Sequence, residues 1–178
     1  MSHGLIAILT GGNLDQITLY KTGEGQCHYT GGYQALVTFS GYLGAVLWGM
    51  FIYLGALSSI RTAHQFGVGL SIFVGLSGVL WARDFNTWII LIAIILMLLI
   101  SLMLVQRKPV QLFVQFIGIF VLVNGIKSLL ELLAIPNKGD HVELAHLTSY
   151  SKNIWLIIWL FCASLALIYL WRRSAKLN

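Results

Sequence analysis

Apolar residues along this chain gather into five long runs separated by short polar connections. The first extends over 41–60 without a charge, and the second, over 67–82, is shorter and rich in glycine. The third, 87–106, is an almost unbroken Ile/Leu/Met stretch. The fourth begins near Val110, is apolar to Ile126, and continues as helix through 135 until Pro136 stops it. The fifth, 153–171, is closed by Arg172 and Arg173. A helix needs about 20 apolar residues to cross a bilayer, so the pattern predicts an all-α polytopic membrane protein with about five transmembrane helices. A shorter apolar piece, Leu5 to Leu9, cannot span and lacks the basic start of a signal peptide. It reads as a helix stub over 1–10, the end of something longer.

Residues 11–40 have a different texture. Glycines at 11–12, 23, 25 and 31–32 punctuate the β-prone pieces Gln16–Tyr20, Gln26–Thr30 and Ala35–Phe39. This spacing predicts a small antiparallel hairpin or meander with turns at the glycines. Sheet edges inside lipid must be satisfied by protein or water, which puts this element near the membrane interface or against a cavity. The other long connection, Lys127 to Lys152, is mixed in charge, and its 136–152 loop holds Asp140, His141, Glu143 and His146. A short helix is expected over Val142 to Leu147. The whole chain, 1–178, reads as one membrane-embedded domain.

Composition agrees with the pattern. Of 178 residues 58% are hydrophobic and 10% charged, and the mean hydropathy is +0.84. Soluble domains run nearer ~25% charged. Disordered and disulfide-scaffold classes fail on apolar content and on the two cysteines. The net charge of +5 comes from Lys and Arg spread among the connections, where membrane topology explains them better than nucleic acid does. The bilayer is therefore the expected partner. With a cytoplasmic C-terminal tail (Arg172, Arg173, Lys176), Arg61, Arg107 and Lys108 also fall inside. Four crossings separate Phe39 from Asp140, so the hairpin and the 136–152 loop share one side of the membrane.

Most polar residues have plain readings. His141 and His146 are five apart and do not share a helical face as i, i+4 residues would, so a second metal site on them is not expected. Lys127 and Glu131 are spaced to pair along the fourth helix, and Asn124 is expected to pack inward. Gly67, Ser71 and Gly75 form small-xxx-small steps that permit close helix approach. Cys27 and Cys162 are not expected to form a disulfide. No phosphate-binding glycine loop, nucleophile elbow or nucleotide fingerprint is present.

His3 gains interest from the residues downstream of it. Met1-Ser2-His3 leads into an apolar stub, then Thr10-Gly11-Gly12, the hairpin, and Ser40-Gly41-Tyr42-Leu43-Gly44 opening the first long run. Much later, the Asp140–Thr148 stretch precedes a run bearing Trp155 and Trp159. This order resembles the site-2-protease class of zinc intramembrane metallopeptidases, in its small bacterial branch, over nearly the whole chain. There a membrane helix carries His-Glu-x-x-His and continues into Thr-Gly-Gly, a β-hairpin and a Gly-Tyr-Leu-Gly helix. An Asp-Ala-x-x-Leu-Ala-x-Leu-Thr segment comes later.

The resemblance implies a set of roles. His3 matches the second histidine of the motif and Asp140 the distant third ligand, so both are implied zinc ligands. His141 stands where a small residue is usual. The first histidine and the general-base Glu would lie immediately ahead of Met1, so no catalytic base is present in this chain. In such motifs two histidines on one helical face hold zinc while the Glu acts on water. The resemblance thus implies a bacterial inner-membrane peptidase cleaving membrane-associated protein substrates, with this chain truncated inside the motif and inactive by itself. The hairpin edge could offer main-chain hydrogen bonds to an unwound substrate. Apart from the resemblance, Asp140 could be a solvated loop acid or a helix N-cap. Two other functions stay open: a non-catalytic membrane scaffold, and a small transporter with Asn124, Lys127 and Glu131 along its path.

Overall fold

The computed structural model describes residues 1–21, 25–104, 107–134 and 139–175. In chain order the elements are α1 (Ser2–Leu9), β1 (Asn13–Leu19), β2 (Gly25–Thr30), α2 (Gln34–Ser58), α3 (Ile60–Trp81), α4 (Phe85–Leu104), α5 (Arg107–Ala134), α6 (Asp140–Thr148) and α7 (Lys152–Ala175). Five helices are long and apolar enough to cross a membrane: Gln34–Ser58, Ile60–Trp81, Phe85–Met103, Lys108–Ala134 and Lys152–Ala175. The protein is an integral multi-pass membrane protein. Many apolar side chains on these helices, such as Ile72, Leu76, Ile92, Leu96 and Phe116, point outward, as expected where the solvent is lipid.

The bundle is held by close helix approach. At the α2–α5 crossing, a Cβ on Gly49 would lie 2.7 Å from the Gly118 carbonyl oxygen, and one on Gly118 would lie 2.6 Å from the Tyr53 amide nitrogen. Both contacts are with backbone, so the two helices touch main chain to main chain, as small residues allow in membranes. Val46, Leu122, Ala163, Ala166 and Leu170 then join α2, α5 and α7 in one core. A second core of Ile52, Ala56, Ala63, Val110 and Val114 lies toward the other membrane face. A third, Leu129, Leu132, Leu144, Leu156 and Trp159, packs α6 beneath α5 and α7. The Trp159 Nε1–H donates to the Phe39 carbonyl at 3.1 Å, tying α7 to α2.

The hairpin is antiparallel, with Leu14 opposite Tyr29 and Ile17 opposite Cys27. The register shifts between Leu14 and Gln16. This extra residue lets Leu14 and Ile17, three apart, face the same side and be buried together. Strand β1 is also held on its other edge. Ile17 forms a parallel bridge with Ala82, and the Leu19 N–H donates to Thr87 Oγ1 at 2.7 Å. Thr87 in turn donates its hydroxyl to Asp84 Oδ1 at 2.7 Å. The turn between α3 and α4 and the first turn of α4 therefore anchor the outer edge of β1, while the outer edge of β2 has no strand beside it among the described residues.

Several sequence expectations shift. Ala35–Phe39 is not a strand; it forms the opening turns of α2, which starts at Gln34 rather than near 41. Gly31 and Gly32 take positive φ angles of 72° and 81°, turning the chain out of β2 before the helix begins. A Cβ at Gly32 would meet Thr10 Oγ1 at 2.8 Å, and that same hydroxyl accepts the Tyr33 N–H at 3.0 Å. The stretch from 67 is part of a full span beginning at Ile60, where Ser59 caps the helix by accepting from the Thr62 N–H at 3.0 Å. The helix over 142–147 extends to Asp140–Thr148, and its N-cap is Gly139 rather than Asp140.

The small-residue steps of α3 are not the tightest seam: a Cβ at Gly75 would find only ordinary contact, 3.8 Å from Ile95. Asn124, expected inward, is exposed, because the inward stripe of α5 runs through Leu122, Gly125 and Leu129. Lys127 and Glu131 do pair, at 3.4 Å and well exposed. Cys27 and Cys162 are both free. The expected turn at Gly23 and helix stop at Pro136 lie outside the described residues.

Candidate metal centre

α2, α3, α4 and α5 cross the bundle in succession, so the chain beyond α5 returns to the side on which α2 began. There α6 lays its first residue against α1. His3 Nε2 and Asp140 Oδ2 are 3.3 Å apart, with both side chains about one-quarter exposed. The other ring nitrogen, His3 Nδ1, lies 2.8 Å from the Val37 carbonyl oxygen. A carbonyl can only accept, so Nδ1 carries the proton. In a neutral imidazole Nε2 is then a bare lone pair aimed at a carboxylate oxygen. Two acceptors at that distance repel unless a proton or a metal cation lies between them.

The surroundings are shaped for this pair. A Cβ on Gly41 would run into the His3 ring and come within 3.2 Å of Asp140 Oδ2, so only glycine leaves room for both. Gly44, one turn on, similarly receives Ser2. These two glycines let α1 lie directly on α2. From α6, Glu143 Oε1 accepts from Gln34 Nε2 at 2.8 Å, which anchors the helix bearing Asp140 to the start of α2.

Electrostatics fit a cation-seeking pair. Burial pulls the His3 imidazole down, but the hydrogen bond and charge of Asp140, with the Val37 carbonyl, outweigh it and hold the ring above its ordinary value. His141 behaves oppositely. Burial and the Lys152 charge lower it against the pull of Asp140. It is 1% exposed, and its Nδ1 has no hydrogen-bond partner among the described residues. His146 is exposed, so the two histidines of α6 do not converge.

The donor set fits a zinc ion in part. Imidazole and carboxylate are ordinary zinc ligands, and a backbone carbonyl on the far ring nitrogen is the usual support for a ligating histidine. Among the described residues no group of three or more His, Cys, Asp or Glu side chains gathers to hold a metal. His3 and Asp140 would therefore supply two members of a ligand set.

Over residues 1–170 the sequence matches the Peptidase M50B-like family. The chain belongs to that family. It is thereby a membrane metallopeptidase of the site-2-protease type. No curated protein and no solved structure matches the chain.

Motif order and the parity of the crossings pick out His3 and Asp140 from sequence. Sequence reasoning misses the Val37 carbonyl, the seat at Gly41, and the Thr87–Asp84 support of the hairpin. Gly41 is legible only as part of a motif, since nothing in one sequence says what a missing side chain makes room for.

Proposed function

We propose that this protein is a zinc-dependent peptidase that cleaves membrane-associated protein substrates, with His3 and Asp140 as two of its metal ligands. The observation that carries the proposal is the approach of His3 Nε2 to Asp140 Oδ2 at 3.3 Å, with Nδ1 turned onto the Val37 carbonyl. When bound, zinc supplies Lewis-acid polarisation of the peptide carbonyl and activates water for attack near neutral pH. The chain's own residues do the rest. Val37 fixes the tautomer and ring orientation of His3, and Gly41 provides the space. Gln34 and Glu143 hold α6 in place.

The reading requires a further metal ligand and a general base beside the pair, where the described residues gather no third His, Cys, Asp or Glu side chain. The outer edge of β2 supports substrate binding in extended form, since its main-chain groups have no neighbouring strand among the described residues.

The test has two steps. The codons ahead of Met1 are read for an in-frame His-Glu following an apolar run. The protein carrying that sequence is then assayed in liposomes against a single-span peptide, with and without chelator. Cleavage that needs zinc, and that is lost on His3→Ala or Asp140→Ala, bears the proposal out. Absence of zinc binding by the protein with its upstream sequence overturns it in favour of a non-catalytic membrane scaffold.

A further inference from the structure

Charged side chains are divided unequally between the two ends of the bundle. Asp15 on the hairpin, Asp84 in the α3–α4 turn, Glu131 near the close of α5, and Asp140 and Glu143 on α6 all lie at the end that holds the metal centre. The sixth acid of the sequence, Glu24, falls between β1 and β2. The far end is formed by the α2–α3 and α4–α5 connections and the close of α7. Arg61, Arg107, Lys108, Arg172 and Arg173 belong to it, and Lys176 follows α7 in the sequence. By order along the chain, six of the 11 Lys and Arg residues therefore accompany no acid.

Packing draws these helix ends together. Ala56 near the close of α2, Ala63 at the start of α3, and Val110 and Val114 at the start of α5 share one core, and Leu102 of α4 packs against it. Gln111 Nε2 donates to the Ala56 carbonyl at 2.8 Å. α7 runs parallel to α2, tied to its start through Trp159 and the Phe39 carbonyl, and so finishes at the same end. Arg61, Lys108, Arg172 and Arg173 are exposed and form no ion pair among the described residues. Arg61, Arg107 and Lys108 moreover stand in the first turns of α3 and α5, where the helix dipole disfavours a cation and no acid offsets it.

We propose that this end of the bundle binds anionic phospholipid headgroups, with Arg61, Lys108, Arg172 and Arg173 reaching the lipid phosphates. Arg61 is the second residue of the span Ile60–Trp81, and Lys108 opens the span Lys108–Ala134. Arg172 and Arg173 lie in the last turn of α7. Side chains at such positions sit in the headgroup layer, so their partner is whatever fills that layer. Trp171, 75% exposed beside Arg172, marks the same level, because tryptophan favours the membrane interface. Guanidinium groups pair closely with phosphate oxygens. A zwitterionic headgroup brings no net charge to a set of unpaired cations, whereas an anionic one does. Each Lys or Arg near the surface favours anionic lipid about fivefold. The inference stands apart from the metal centre and holds whether or not zinc binds.

The experiment reconstitutes the 178-residue protein in phosphatidylcholine liposomes. Electron spin resonance then measures how much spin-labelled phosphatidylglycerol and spin-labelled phosphatidylcholine the protein surface holds. Both leaflets are counted, so the direction of insertion does not matter. The unaltered protein is expected to prefer phosphatidylglycerol about fivefold or more at low salt, and less at high salt. Combining Arg61→Gln, Lys108→Gln, Arg172→Gln and Arg173→Gln is expected to bring the preference close to one with helix content unchanged. If that variant loses helix content, the exposed pair Arg172→Gln with Arg173→Gln serves instead and should lower the preference partway. Arg172→Lys with Arg173→Lys should keep it, since the charge is retained. Lys21→Gln with Lys127→Gln, at the centre end, should also keep it. Equal holding of the two lipids by the unaltered protein overturns the proposal and leaves the cations to set orientation alone. A preference that survives the glutamine substitutions overturns it too. So does displacement of the labelled lipid by inorganic phosphate beyond that by chloride at equal ionic strength, which would make this a site for soluble phosphate.

Discussion

The imidazole of His3 occupies the space in which any residue other than glycine at position 41 would place its Cβ. The ring is confined between that helix surface and the Asp140 carboxylate, so its position is set by what Gly41 lacks. Gly41→Ala is expected to push the ring off the Val37 carbonyl and away from Asp140. Support of this kind around a metal ligand is worth roughly 10–100-fold in affinity. Zinc titration of the reconstituted protein should show a loss of that order with helix content unchanged. Gly69→Ala, on α3 with nothing within 4 Å of its Cβ position, should leave zinc affinity as it was.

A second pair of glycines governs stability rather than chemistry. Gly49 and Gly118 oppose each other at the α2–α5 crossing, and each added methyl would meet backbone. Backbone cannot swing aside as a side chain can, so the helices would have to separate. Gly118→Ala is expected to cost about 1–3 kcal/mol or slightly more, read as a lower unfolding midpoint in a detergent titration. Gly67→Ala, whose nearest neighbour is the flexible Leu102 side chain at 2.9 Å, should cost less.

These two pairs show how far the sequence could be read. The spans were legible because lipid demands long apolar runs, and the side shared by the hairpin and Asp140 came from counting crossings. Which glycines mark real contacts was not legible. Gly67, Ser71 and Gly75 have the right spacing, yet the backbone-to-backbone seam is Gly49 with Gly118, whose pairing depends on two helices distant in sequence. Ala35–Phe39 misled for a related reason: Val37, Thr38 and Phe39 favour strands locally, but α6 and α7 offer a helical segment a core against which Ala35 and Phe39 pack. The role of Thr87 was hidden because its partners, Leu19 and Asp84, come together only in the fold.

Thr87 yields a sharp prediction of its own. The side chain is fully buried and accepts the Leu19 N–H while donating to Asp84. Thr87→Val keeps the shape and removes both bonds, leaving the end of β1 without a partner on that side. An orphaned buried N–H costs about 1–3 kcal/mol. Hydrogen exchange at Leu19 should accelerate accordingly, and Thr87→Ser should restore most of the protection.

Asp84 makes the same support sensitive to acid. It caps α4, accepting the Thr87 N–H at 2.8 Å and the Thr87 hydroxyl at 2.7 Å. These two bonds, the backbone one first, hold its carboxyl below the usual range. The folded value is thus lower than the unfolded one. The cap's contribution is fully present above the unfolded value and is lost as pH falls through the folded one. Around neutral pH, therefore, no change is expected. Below the ordinary carboxylate range, exchange at Leu19 and Thr87 should speed up together, since protonated Asp84 is a weaker acceptor for both Thr87 bonds. Asp84→Asn should flatten that acid dependence while leaving the Leu19–Thr87 bond in place. If exchange at Leu19 responds to acid equally in Asp84→Asn, the carboxylate has no part in holding β1 against α4.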